Sequence, residues 1–315
     1  MASCEAFFFR SLCIVHNALA ALCHFLGMPM NTSNTVMSQG VERTASADDL
    51  KPGARLTVAG LNHGFETDDG VRTTLFAGLN FSVGAGEIVS IVGRSGAGKS
   101  TLFNLISGLL SPQAGRIEVG RRSDGAAGRI AYMLQKDLLM PWRSVLHNAL
   151  LGIELYRKVT RADVERARDM LARYGLAPVI DAYPHALSGG MRQRVALTRT
   201  LLVDPTLVLL DEPFSALDYE TRLALEDDVM LLRESTGTSV VLVTHDIEEA
   251  IAMSDCVMLL GGRPARIEDR VEVRLSTQGP RNAVSAREAP EFRTLHKRIW
   301  DGLRSNSIHH AGAST

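Results

Sequence analysis

Cysteine is scarce in this chain. Its 315 residues include four, Cys4, Cys13, Cys23 and Cys256. Three sit near the start and no pair has C-x-x-C spacing, so neither a disulfide framework nor a zinc site is implied. A reducing compartment is the simplest one. Excess charge is also missing. Lys and Arg number 34 against 35 Asp and Glu, a formal net charge of −1. No global basic field marks nucleic acid as the main partner. Long apolar runs are absent too. Residues 12–30 come nearest, but His16, Asn17 and His24 interrupt them, which makes a poor membrane span. No basic n-region precedes that stretch and no clear small-residue cleavage site follows it, which argues against an export signal. No internal repeat is visible. Hydrophobic residues make up 45% and charged residues 22%. That is ordinary globular composition, long enough for one large domain or two modest ones.

What is present centres on Gly93-Arg94-Ser95-Gly96-Ala97-Gly98-Lys99-Ser100-Thr101. The apolar run Glu87-Ile88-Val89-Ser90-Ile91-Val92 precedes it and Leu102-Phe103-Asn104-Leu105-Ile106 comes after. Strand, glycine-rich turn, Lys-Ser and helix form the layout of a phosphate cradle. Glycines let backbone N–H groups face anionic oxygens, and the helix N-terminus adds its positive end. Lys99 can reach the β- and γ-phosphates, and the Ser100 hydroxyl can ligate Mg²⁺. These residues predict a nucleoside triphosphate site.

Residues 1–51 read as an extension outside the fold, disordered or upstream of the true start. Met28, Met30 and Met37 are alternative starts, and residues 31–51 resemble a polar linker. The fold is expected from residue 52, with a strand near Arg55-Leu56-Thr57-Val58. Asn62-His63-Gly64-Phe65-Glu66 reads as a turn, and residues 73–83 as a strand. Further strands are expected at Arg116-Ile117-Glu118-Val119 and Arg129-Ile130-Ala131-Tyr132-Met133. A helical subdomain with Thr160 as an N-cap occupies about 136–190. Ser188-Gly189-Gly190 then opens a new helix. Leu207-Val208-Leu209-Leu210 and residues 239–243 suit parallel strands buried on both faces. Residues 247–253 read as a short helix and residues 256–260 as a last core strand. Alternating strands and helices predict a doubly wound α/β sheet with ligands at the carboxyl ends of its strands. Lys99, Asp211 and His245 all fall just past strand ends.

Asp211 can hold Mg²⁺ directly or through water, and Glu212 can polarise an attacking water. A plain helix-capping acidic pair is the alternative. Leu187-Ser188-Gly189-Gly190-Met191-Arg192-Gln193-Arg194 is the most specific motif. Here the sequence resembles the ATP-binding subunits of ABC transporters, over about residues 56–303. The resemblance implies a P-loop ABC ATPase core with an inserted α-helical subdomain and an N-terminal antiparallel β subdomain. It places that domain at 52–275 and a C-terminal helical extension and tail at 276–315. By resemblance, Ser188, Gly189 and Gly190 bind the γ-phosphate of ATP held by the other subunit. Gln135 matches the glutamine that touches the metal and the attacking water. Asp218, in Ser215-Ala216-Leu217-Asp218, matches the D-loop across the dimer interface. His245 matches the switch histidine at the γ-phosphate. Phe65 matches the aromatic that stacks on adenine, with a core phenylalanine as the alternative.

The resemblance narrows further. Leu134-Gln135-Lys136-Asp137-Leu138-Leu139-Met140-Pro141-Trp142 resembles the segment after that glutamine in nitrate, taurine and aliphatic sulfonate importers, whose usual form is Leu-Leu-Pro-Trp, with a variation at Leu139-Met140. Arg263-Pro264-Ala265-Arg266-Ile267 resembles their Arg-Pro-Gly-Arg-Ile, with Ala265 in place of glycine. An ATP- and Mg²⁺-dependent ATPase, peripheral on the cytoplasmic face of the inner membrane, is implied by this resemblance. A second ATPase subunit, an integral-membrane permease and, indirectly, a solute-binding protein are its implied partners. An exporter subunit and a non-transport ATPase acting on DNA or ribosomes are the rivals. Long coiled coils or two cassettes in one chain would mark the latter, and neither is present.

Overall fold

The computed structural model describes residues 53–66, 72–121 and 128–308, with side chains to 304. The expected extension at 1–51 and the last residues of the tail lie outside the described residues. The first strand, β1 (Leu56–Glu66), pairs antiparallel with β2 (Arg72–Val83). The stretch at residues 62–66 is therefore strand, not turn: Gly64 pairs with Thr74 and Phe65 with Thr73. Its polar residues misled because this end of β1 is irregular, with register shifts between Val58 and Gly64. Bulged strands lose the clean alternation that marks a strand in sequence.

Next come β3 (Ile88–Gly93), α1 (Lys99–Ile106) and β4 (Ala114–Val119). The last of these joins the first sheet, whose order is β2-β1-β4. Leu102, Phe103, Leu105 and Ile106 of α1 are buried in one core with Leu56, Val58 and Phe81 of that sheet. Each such side chain contributes about 1.5–3 kcal/mol of burial. This packing fixes the start of α1 against the end of β3.

After β5 (Ile130–Met133) the chain turns helical, with α2 (Val145–Glu154), α3 (Arg161–Arg173) and α4 (Gly189–Leu201). Thr160 caps α3 as expected, in a reciprocal capping box with Asp163. The helices share a core with the central strands: Leu146, Ala167 and Leu171 belong to one cluster with Val208, Leu210 and Leu242.

The chain then alternates through β6 (Leu207–Asp211), α5 (Tyr219–Thr236), β7 (Ser239–Thr244), α6 (Ile247–Met253) and β8 (Cys256–Gly261). Every residue of β3, β6 and β7 is buried, as parallel strands covered on both faces require. The second sheet has the order β5-β6-β7-β3-β8-β9. Its first five strands are parallel, and β9 (Arg266–Glu272) closes the edge antiparallel to β8. Residues 256–260 form the last buried strand, and β9 adds an edge strand beyond it that was not expected. Charged edge strands escape a reading based on apolar runs. Two helices complete the chain, α7 (Ala283–Glu288) and α8 (Phe292–Ile308). Phe292 and Ile299 of α8 pack with Leu259 of β8 and Ile247 and Ile251 of α6.

Candidate nucleotide site

The phosphate loop leaves β3 where the chain is crowded. A Cβ at Gly93 would sit 2.5 Å from the Leu260 carbonyl oxygen on the neighbouring strand. Gly98, the N-cap of α1, has φ +91° and lies against Leu75 and Phe76. Only glycine meets both demands. No side chain caps α1, so its first N–H groups face outward for an anion. Lys99 Nζ donates to the carbonyls of Gly93 at 2.7 Å and Arg94 at 3.0 Å. Burial pulls its pKa below the usual lysine value, opposed by the charges of Glu212 and Asp211.

Asp211 ends β6 and is buried. Burial raises its pKa, and the hydrogen bond with the Ser100 side chain works the other way. The Tyr132 hydroxyl lies 3.5 Å from Asp211 Oδ2 and 3.4 Å from Asn104 Oδ1. A desolvated carboxylate beside a hydroxyl is an oxygen donor set that suits Mg²⁺, which needs few protein ligands when phosphate supplies the rest. Among the described residues no group of three or more His, Cys, Asp or Glu forms a metal cage.

Glu212 comes next with φ +49°, a left-handed conformation that costs about 1–3 kcal/mol in a non-glycine residue. Its backbone holds that shape from both sides. The N–H donates to the Val243 carbonyl at 2.8 Å. Its carbonyl accepts from Gln193 Nε2 at 3.2 Å and Ser215 Oγ at 3.1 Å. The side chain gathers two candidates from other strands. Gln135 Nε2 donates to Glu212 Oε2 at 3.0 Å, and His245 Nδ1 lies 3.4 Å from Glu212 Oε1.

These groups share one cavity of about 1130 Å³. Of the residues singled out in sequence, Gly93, Arg94, Ser95, Gly96, Ala97, Lys99, Gln135, Glu212 and His245 line it. Gly98, Ser100, Thr101 and Asp211 stand just behind that lining, in the turn of α1 and at the end of β6. Phe65 is not part of the wall. It is 48% exposed and meets the His63 ring edge-on at 5.1 Å. Ser188, Gly189, Gly190 and Asp218 are also apart from it. Ser188 caps α4 through the Met191 N–H, and Asp218 caps α5 through the Thr221 N–H. The two caps are neighbours, since a Cβ at Gly190 would meet Leu217 at 3.2 Å and Ala216 at 3.3 Å.

Sequence reading missed Thr73, Thr74 and Arg263 in the cavity wall. It also missed Tyr132 and Gln193 behind the acidic pair. Gln193 stands two residues after Met191 in the Ser-Gly-Gly motif, and that spacing was the available signal. Arg263 opens Arg263-Pro264-Ala265-Arg266-Ile267, read in sequence only for its family likeness, and Thr73, Thr74 and Tyr132 carry no local pattern.

Comparison with known proteins agrees with this geometry. Residues 76–215 match the family described as ABC transporter. An uncharacterized ABC transporter ATP-binding protein, YtlC of Bacillus subtilis, is 43% identical over 74% of this chain and 90% of its own. The aliphatic sulfonates import ATP-binding protein SsuB 2 of Agrobacterium fabrum is 42% identical over 78% and 92%. Among solved structures, the dimeric cassette MJ0796 in a post-hydrolysis state with ADP and phosphate has a TM-score of 0.62. It is 28% identical over 70% of this chain and 99% of that one. With the phosphate loop, the acidic pair and these relatives together, the chain belongs to the ABC transporter family, as one of its ATP-binding ATPase subunits.

Proposed function

We propose that this ATPase subunit pairs with a second copy of itself and powers uptake of a small anionic or zwitterionic solute through a membrane permease. The observation that carries the chemistry is the meeting of Gln135, Glu212 and His245 at the carboxyl ends of β5, β6 and β7, beside Lys99. In this reading Lys99 and the loop N–H groups bind the β- and γ-phosphates. Glu212 accepts a proton from the attacking water, Gln135 orients the carboxylate and the water, and His245 contacts the γ-phosphate. Asp211, Ser100 and the Gln135 amide oxygen would hold Mg²⁺, which neutralises phosphate charge when bound. Ser188, Gly189, Gly190 and Asp218 would complete the site of the partner copy.

The permease contact is assigned to the loop after Gln135. Trp142 is 65% exposed there, a large apolar anchor suited to an interface. Arg199 of α4 grips the same loop, donating to the carbonyls of Asp137 at 2.7 Å and Leu138 at 2.9 Å. The relative named for sulfonate import supports the solute class, as does the Leu138 to Trp142 segment. Among the described residues no helix is long and apolar enough to cross a membrane. By likeness to the import ATP-binding proteins, we assign the subunit to the cytoplasmic membrane face, held by its permease.

Glu212→Gln tests the chemistry. The substitution keeps the hydrogen bond with Gln135 but removes the proton acceptor. ATP binding should stay near wild type while turnover falls about 10²–10⁴-fold. Unchanged turnover would remove Glu212 from the reaction.

A further inference from the structure

The order of the second sheet gives the nucleotide cavity a direction. Gln135, Glu212 and His245 stand at the ends of β5, β6 and β7, all on one side of β3. The phosphate loop leaves β3 itself. On its other side stand β8 and β9, and the hairpin joining them lines the same cavity through Gly261, Gly262, Arg263 and Ala265. Adjacent strands lie about 4.8 Å apart. A nucleotide with its terminal phosphate at Glu212 therefore runs its base across β3 toward this hairpin.

The hairpin tip is built as a fixed wall. The Ala265 N–H donates to the Leu75 carbonyl at 2.6 Å, and Ala265 bridges to Phe76 of β2. Gly262 takes φ +86°, a conformation that suits glycine. Thr73, Thr74 and Leu75 of β2 and Leu303 of α8 complete this end. Among the described residues this end is apolar and hydroxylic, with Arg263 as the cation that the hairpin supplies. Arg263 is exposed and has no hydrogen-bond or ion-pair partner among the described residues. An unengaged planar guanidinium beside apolar side chains suits the face of an aromatic ring.

We propose that Arg263 is a base-binding residue, its guanidinium stacking on the adenine of ATP. The inference rests on the nucleotide-site reading above and extends it to the end of the cavity away from Lys99. Phosphate binding is left to the loop, so Arg263 acts on the base and not on the triphosphate.

The test is calorimetric titration of the full chain with ATP and, separately, with inorganic tripolyphosphate. Arg263→Ala should weaken ATP about 3–30-fold, the range of a cation–π contact. It should leave tripolyphosphate affinity unchanged, and in turnover it should raise KM while keeping kcat. Arg263→Lys should recover only part of the loss, because an ammonium lacks the planar face. ATP affinity unchanged in Arg263→Ala would overturn the proposal. Equal losses for ATP and tripolyphosphate would overturn it as well, by placing Arg263 at the phosphates. ATP binding by the unsubstituted chain, in the same titration, tests the underlying nucleotide-site reading separately. Arg263 is exposed, and equal thermal midpoints would show that the variants fold.

Discussion

Lys99 closes on two carbonyls of its own loop, Gly93 and Arg94. Those bonds keep a desolvated ammonium partnered, and in the proposed reading phosphate oxygens would replace them. Lys99→Ala removes that charge from the phosphates. Turnover should fall about 10²–10³-fold, the usual loss for one preorganised donor to developing charge. A steady-state assay with saturating ATP checks it, and wild-type turnover would remove Lys99 from the phosphate site. Lys99 and Glu212 were legible in sequence because each sits in a local pattern, a glycine loop and the end of an apolar run. The roles of Arg263 and Gln193 were not, although both stand in motifs visible in the sequence. Arg263 reaches the cavity only because β8 lies beside β3, a pairing far apart in the chain. Gln193 stands in the Ser-Gly-Gly motif, whose spacing was its signal, but its bond to the Glu212 carbonyl joins elements that the motif alone does not bring together.

At the scale of elements, α6 carries an unused carboxyl group. Glu249 is buried on α6, and its Oε1 has no hydrogen-bond partner. Burial, then the negative charges of Glu226 and Asp246, push its pKa up to about 8, against the Thr244 hydroxyl and Arg222. The folded state thus holds a proton that the unfolded chain releases near the usual Glu value, about 4.3. Stability from this group is present below that value and declines as pH rises toward 8. Glu249→Gln should flatten that decline and raise the thermal midpoint at pH 8. A change of about 2–4 °C is expected for each kcal/mol released in a chain of this class. Thermal melts from pH 5 to pH 8 check it, and a variant no more stable at pH 8 would refute the assignment. The elements themselves were legible in proportion to their burial. Residues 207–210 announced β6 because both faces are covered. Arg266-Ile267-Glu268-Asp269-Arg270-Val271-Glu272 hid β9 because an edge strand keeps its charges in water. Residues 62–66 hid the end of β1 because their pairing is irregular.

For the whole molecule, the candidate residues fall into two groups on one chain. Lys99, Gln135, Glu212 and His245 share a cavity. Ser188 and Asp218 lie outside it, at the neighbouring starts of α4 and α5. Ser188 is exposed at a helix N-terminus, a surface that suits an anion supplied from outside the chain. If two copies meet about a two-fold axis, each presents this surface to the other's phosphate loop. A Lys99→Ala chain mixed with a Ser188→Arg chain then separates the two arrangements. In a mixed dimer both defects fall on one site, and the other site has an intact loop and an intact Ser-Gly-Gly start. Statistical mixing of independent sites should restore about a quarter of wild-type turnover, although each variant alone is inactive. Sites completed within one chain would restore nothing, since every chain in the mixture carries a defect. Turnover measured against mixing ratio should peak near equal amounts, because mixed dimers are then most abundant. A flat profile at the level of the separate variants would reject the shared site.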